Sequence, residues 1–461
     1  MPTFAAEKLA AWTGGRWNRF PGGAVAGFTQ DTRQLAAGQV FVALKTDKRD
    51  GHDFLAQAET TGATAAIVSR ENAALALPQL IVDDPLAAFQ RIAREHRLEF
   101  QGPVIGISGS VGKTSTKDLT AVLLGGAPEI LATEGNLNNY LGIPLTLTKL
   151  DSAVHRAAVV EAGINMPGEM TQLAAMIEPD HSIITFVGPA HLEKLGSLEG
   201  VAFEKSRLSA ANRPEGVAVF PASCWAYESF RTLANPLVVV PEGAALAAGP
   251  AAPARLIKFS VTQRSDRTEL TLAGTRRFTL PRRVTSGMAQ NAALALTLAS
   301  ELGVDDANLQ ARLALWQPSK WRGEMQRVGE ASVYCDFYNA NPASMVDAIA
   351  GFMATTDEAL PRLFVLGSME ELGADAAKFH QEVGRTLHLR RGDFLFLIGG
   401  QAEAMRVGAL ENGNDPAQIA IVTELQPVRD FLAGFKGAAF LKASRRYQLE
   451  TVLDPHAAAH A

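Results

Sequence analysis

Short apolar runs alternate with segments of helical period along most of the chain. In the first hundred residues, Gln39 to Leu44 and Ala65 to Val68 read as strands, and Phe54 to Thr61 and Pro85 to Leu98 read as helices, a small α/β unit. The run from Val104 opens a second unit, in which Ala157 to Val160 and Ser182 to Val187 recur between helical patterns. Such spacing predicts a mainly parallel sheet with helices on both faces. From about 216 to 284 the pattern changes to short strands with turns, including Leu237 to Val240 and Glu269 to Leu272, and Met288 to Leu302 follows as an alanine-rich helix. From Trp316 onward, Leu363 to Leu366, Phe394 to Ile398, Ile419 to Val422 and Ala439 to Leu441 alternate with helical segments, a Rossmann-like pattern. The expectation is an α/β chain of three domains, 1–100, 101–315 and 316–461.

Composition narrows the class. A chain of 461 residues exceeds one ordinary core, and 47% apolar with 20% charged residues fits a soluble globular protein. The net charge of −5 argues against sequence-independent nucleic-acid binding. Cys224 and Cys335 stand alone without metal-ligand spacing, which suits a reducing cytoplasm and no disulfide framework. No signal peptide or membrane span is expected, and His456 and His460 read as part of a frayed tail.

The strongest chemical signal is Val104 to Ser115, where an apolar run leads into Gly109-Ser110-Val111-Gly112-Lys113-Thr114-Ser115 and then a helix. Small residues let backbone N–H groups face phosphate oxygens, Lys113 neutralises charge, and the Thr114 hydroxyl can hold Mg²⁺. Ile107 occupies the place of the usual first glycine, so the loop has the tighter form G-x-x-G-K-T. Glu161 follows a strand and is either a metal carboxylate or a solvated loop residue. His191, after the next strand, is either a metal ligand or structural. On a helix from about Ser197, Leu198, Val201, Lys205 and Leu208 share one face, with Glu204 and Arg207 pointing elsewhere. A lysine on an apolar face either reaches out to water or, desolvated, has a nucleophilic amine that can add CO₂ to give a carbamate ligand.

Gly106 to Ser115, Asn136 to Asn139 before Gly142 to Thr146, Glu161 to Gly163, and His191 to Lys205 resemble the central domain of the Mur ligases, ATP-dependent amide-forming enzymes of peptidoglycan precursor synthesis. Asp336 to Met345, Val365 to Gly373 and His380 to Gly384 resemble the branch that joins D-alanyl-D-alanine to UDP-N-acetylmuramoyl-tripeptide. Asp31 to Arg33, Phe41 to Leu44 and Asp50 to Phe54 resemble its UDP-sugar domain. The resemblance implies a UDP-sugar domain, a central ATP-binding domain, and a C-terminal domain that binds the dipeptide and closes on ATP.

By the same resemblance, Lys113 would hold the β- and γ-phosphates and Thr114 one Mg²⁺. Glu161, His191 and carbamylated Lys205 would surround a second Mg²⁺. Asn291 and Asp336 would contact the nucleotide, Tyr338, Asn339 and Asn341 would shape the closed site, Asn136, Asn138 and Asn139 would line the muramoyl-peptide path, and Thr32 and Arg33 the uridine end. Lys442 matches a basic strand-end motif. A cytoplasmic monomer with no nucleic-acid partner is expected.

The chain departs from the family pattern in several places. Glu324 replaces an arginine expected at the γ-phosphate, with Arg322 nearby as a substitute. Gln290 and Leu294 replace residues expected on the adenine side, and Phe337, Ser368 and Tyr140 also differ. The rival readings are a related ligase with another amino-acid acceptor and a non-catalytic nucleotide-binding homologue.

Overall fold

A computed structural model describes residues 2–246 and 255–454; His456 and His460 lie outside the described residues. The chain forms three sheets, of five, nine and six strands. In the N-terminal sheet the spatial order is Arg16–Trp17, Gln79–Ile81, Ala65–Val68, Val40–Val42, Phe28–Thr29, parallel except for the first pair.

The central sheet runs Arg276–Leu280, Thr268–Leu272, Arg255–Gln263, Pro236–Pro241, Ala218–Pro221, His181–Ile184, Val104–Ser108, Ala157–Glu161, Ile130–Ala132. The short strands after residue 216 thus extend the same sheet, and only the last two pairings at that edge are antiparallel. Both faces are covered, which is why the central strands read as continuous apolar runs. Ile105, Ile107 and Val159 pack under the helices Lys113–Leu124 and Ser286–Glu301, while Val104, Ala158 and Val160 face the helices Glu169–Ile177 and Leu198–Ala210.

The C-terminal sheet has the order Glu324–Val328, Ala331–Cys335, Ala438–Lys442, Arg362–Gly367, Phe394–Ile398, Ile419–Val422, parallel beyond its first hairpin.

The run expected as a strand from Ser182 to Val187 leaves the sheet after Ile184, because Thr185 and Phe186 turn inward: the Ser110 N–H donates to the Phe186 carbonyl at 2.8 Å. The chain near residue 100 is not a free hinge. Arg97 is fully buried and donates to the Ile177 carbonyl (2.9 Å), the Glu178 carbonyl (2.8 Å) and Asp180 Oδ2 (2.7 Å), clamping the helix Pro85–Glu99 onto the central domain. Near the other junction, Trp316 is buried in the central core.

Candidate active site

The strand Val104–Ser108 ends between two parallel neighbours, and the glycine-rich loop leaves from its C-terminal end, the place where open α/β sheets collect ligands. Close approach explains both loop glycines. Gly109 has φ +150° and a Cβ there would overlap Thr185 Oγ1; Gly112 has φ +80° and a Cβ there would overlap the Asn291 amide. Ser110 ties the loop down, its hydroxyl donating to the Gly188 carbonyl (2.9 Å) and accepting from the Gly188 N–H (3.0 Å). No side chain caps the helix Lys113–Leu124, so its first amides are free to receive an anion. Lys113 Nζ donates to the Gly109 carbonyl at 2.9 Å, folded over its own loop. Desolvation holds its ammonium below the usual lysine range; the Glu161 carboxylate opposes that shift and the Arg322 guanidinium adds to it. Thr114 is buried beside it.

Glu161 is the last residue of its strand rather than a loop residue, and only 2% exposed. Its Oε1 accepts from Asn138 Nδ2 at 2.7 Å, while Oε2 is buried with no partner. A buried carboxylate oxygen with nothing to accept from is costly, and a cation would satisfy it. Lys205 is 1% exposed, so the snorkelling alternative is ruled out. Burial first, then the nearby Lys113 charge, pulls its ammonium well below the ordinary lysine value. Arg207 and Glu204 both point away from that face, Arg207 to solvent, whereas Glu204 is buried and accepts from the Gly168 N–H at 2.8 Å. Gly168 caps the helix Glu169–Ile177 with φ +84°, and that helix packs on Glu204's own, which a helical-face count of one segment could not register.

His191 sits at φ +55° and its Nδ1 pairs with the Glu371 carboxylate from the C-terminal domain. That pairing, chiefly the hydrogen bond from His191, lowers the Glu371 pKa. Among the described residues no three His, Cys, Asp or Glu side chains form a preformed metal cage; the expected set has only Glu161 and His191 of those types, with Thr114 and whatever Lys205 carries beside them.

The C-terminal domain brings a second set of groups to the loop. Asn341 caps the helix Pro342–Thr355 in a capping box with Ser344, and its Nδ2 donates to the Ser110 carbonyl at 3.3 Å. Lys442, 2% exposed, donates to Asp336 Oδ2 (2.6 Å) and to the Asn339 carbonyl (3.2 Å), pinning the turn that carries Asp336, Tyr338 and Asn339. The Arg322 guanidinium lies 4.1 Å from the Tyr338 ring.

The departures find places in this geometry. Glu324 is bound into its own turn, accepting from the Trp321 N–H (3.1 Å) and from Gln326 (3.2 Å), whereas Arg322 is the cation whose field reaches Lys113. Asn291 lies under Gly112, Gln290 Nε2 donates to the Thr185 carbonyl at 3.4 Å, and Leu294 is fully buried in the apolar core. Phe337 is buried with its ring 5.5 Å from Trp321, and Ser368 accepts from the Gln401 N–H at 3.0 Å.

The other expected residues stand apart from this cluster. Thr32 is buried against Gln57 (3.1 Å), and Arg33 is exposed and paired with Asp31 (2.7 Å), both in the N-terminal domain. Asn136 is exposed, and the Asn139 side-chain oxygen caps the Leu141 and Gly142 N–H groups at 3.0 and 2.9 Å. Glu371 and Thr185 were not singled out from sequence. The first meets His191 only after two domains have packed, and the second is one small polar residue at a strand end.

Three family descriptions match in order along the chain: "Mur ligase family, catalytic domain" over residues 24–98, "Mur ligase middle domain" over 107–296, and "Mur ligase, glutamate ligase domain" over 322–432. The chain belongs to the Mur ligase family. It is 34% identical over 415 residues to the UDP-N-acetylmuramoyl-tripeptide–D-alanyl-D-alanine ligase of Synechocystis, covering 86% of each chain. It is 31% identical to the ligase of the same name from Escherichia coli, covering 91% of this chain and 93% of that one. The fold is similar to MurF from Acinetobacter baumannii (TM-score 0.85, 26% identity, 99% of each chain) and to the MurF ligase of Thermotoga maritima in complex with ADP (TM-score 0.77, 25% identity, 93% and 96%).

Proposed function

We infer that this chain is an ATP-dependent ligase joining D-alanyl-D-alanine to UDP-N-acetylmuramoyl-tripeptide. The observation that carries the reading is the Asn341–Ser110 contact, which seats the Tyr338-to-Asn341 segment on an open phosphate loop. The relatives named above carry the same activity in their names, over most of their length.

The γ-phosphoryl group of ATP passes to the terminal carboxylate of the tripeptide, giving an acyl phosphate and ADP. The free amine of D-alanyl-D-alanine attacks the acyl carbon, a tetrahedral intermediate forms and loses a proton, and inorganic phosphate leaves. Amide formation from a free carboxylate is unfavourable in water, so the ATP step supplies the driving force. The protein's part is positioning and charge neutralisation. Amides of Val111 to Thr114 and the Lys113 ammonium hold the phosphates, and Arg322 brings a second cation to the transferred group. Asp336, held by Lys442, faces the nucleotide from the C-terminal domain, and that domain excludes water from the acyl phosphate.

The orphaned Glu161 oxygen and buried Thr114 fit Mg²⁺, which when bound would neutralise phosphate charge. Lys205, buried with a depressed ammonium pKa, fits carbamylation. A ¹³C-bicarbonate-derived carbamate signal that is lost in Lys205→Ala would support the modification; its absence from the native protein would end that part of the reading. Thr32 and Arg33 are assigned to the uridine end, and Asn136, Asn138 and Asn139 to the muramoyl-peptide path.

The deciding experiment is phosphate release from Mg-ATP with UDP-muramoyl tripeptide, with and without D-alanyl-D-alanine. Release that requires both, with a pentapeptide product by mass, is expected. Release with another acceptor only, or ATP binding without turnover, would overturn the assignment.

A further inference from the structure

Among the interdomain contacts that the mechanism leaves unused is one made by Asp347. Asp347 lies on the C-terminal helix Pro342–Thr355, half-buried, one and a half turns after the Asn341 cap. Its Oδ1 accepts from the Gly287 N–H at 3.0 Å. Gly287 is in the first turn of Ser286–Glu301, the helix that holds Asn291 under the phosphate loop. Its N–H is one of the amides an α-helix leaves without an internal partner, so a carboxylate there satisfies a donor and meets the positive end of the helix.

The approach is close on both sides. A Cβ on Gly287 would fall 2.7 Å from Asp347 Oδ2, and a Cβ on Gly351, one turn further along Asp347's helix, would fall 2.7 Å from Thr285 Cγ2. Thr285 caps the same helix start by accepting from the Met288 N–H at 3.2 Å. Two glycines therefore let a helix of the C-terminal domain cross the mouth of a central-domain helix, and the Asp347 carboxylate bonds that mouth directly.

We propose that Asp347 is a positioning residue for the ligase reaction: it caps the helix Ser286–Glu301 across the domain boundary and so sets the C-terminal domain in the register that places Asn341 on Ser110. The proposal rests on the ligase reading for its kinetic arm only. The pairing of Asp347 with Gly287 is a direct polar tie between these two helices, and without it the closed arrangement is less populated in the presence of nucleotide.

The test has two arms on the full chain. In the first, Asp347→Ala lowers kcat about tenfold with KM for the UDP-tripeptide unchanged, since that substrate's own domain is untouched, while Asp347→Asn recovers most of the loss because the amide oxygen still accepts. Equal kcat in all three proteins, or a loss that the asparagine variant shares in full, would overturn the positioning role. In the second arm, Gly287→Cys is combined with Asp347→Cys. The Gly287 Cβ position lies 3.2 Å from Asp347 Cγ, within reach of a disulfide, and Cys224 and Cys335 are buried and will not compete. Cross-linking that is faster with Mg-ADP than without, read by gel mobility, is expected; cross-linking that does not respond to nucleotide would overturn the link to closure. This arm stands even where the ligase activity itself fails.

Discussion

Two charged residues bear most on whether this chain turns over. Glu324 replaces an expected arginine, yet its carboxylate is directed to the Trp321 N–H and to Gln326, away from the loop, while Arg322 acts on Lys113. Arg322→Ala is therefore expected to lower kcat by about ten- to a hundredfold, as for loss of one charge-stabilising donor, and Glu324→Gln to change it far less; phosphate-release kinetics separate the two. Lys205 makes a second prediction, about pH. Its ammonium pKa is lowered on folding, so between that value and the unfolded value of about 10.4 the unfolded chain binds more protons than the folded one. Unmodified protein thus gains stability as pH rises through this window and loses it as pH falls. Lys205→Leu reduces the slope, leaving the smaller part owed to Lys113, which urea titrations across that range in bicarbonate-free buffer will register. The sequence made the lysine's face legible because helical period is local. It left Glu204 without a partner because that partner, Gly168, caps another helix.

Among the elements, the helix Pro85–Glu99 decides how the first two domains sit. Arg97 ends that helix fully buried, with its guanidinium shared among three central-domain acceptors. Asp180 Oδ2, one of them, also accepts from the Val104 N–H at 2.7 Å, at the start of the strand that feeds the phosphate loop. Arg97→Ala leaves a partly exposed carboxylate, which keeps Arg213, and two carbonyls short of a donor, and is expected to destabilise by about 2–3 kcal/mol, measured by urea denaturation. Activity at low temperature should persist, because nothing at Arg97 touches the reacting groups. The helix was readable from its apolar spacing; that its end is a clamp was not, since Arg97 and Asp180 are distant in sequence and an arginine in a last turn ordinarily reads as a solvated residue facing the helix dipole.

At the scale of the whole molecule, the contacts divide the chain into a clamped pair of domains and a third joined to them by scattered polar ties, among them Asn341 to Ser110, Asp347 to Gly287, Glu371 to His191 and Ser319 to Asp118. Mg-ADP is accordingly expected to slow amide hydrogen exchange in residues 109–116 and 338–347 while leaving 93–104 unchanged, because the last segment is already held by Arg97. Protection spread equally over all three would count against that division. Strand, loop and helix around Gly109 to Ser115, and the buried strands on either side, could be read from the chain alone because each is written in consecutive residues: apolar runs for strands covered on both faces, small residues where backbone must approach phosphate. The partnerships could not. Asn341 with Ser110, Asp347 with Gly287, and Glu371 with His191 join residues that lie far apart in the sequence, and each depends on how two rigid bodies pack. No local period encodes that, so the assembled site, unlike its parts, came from folding.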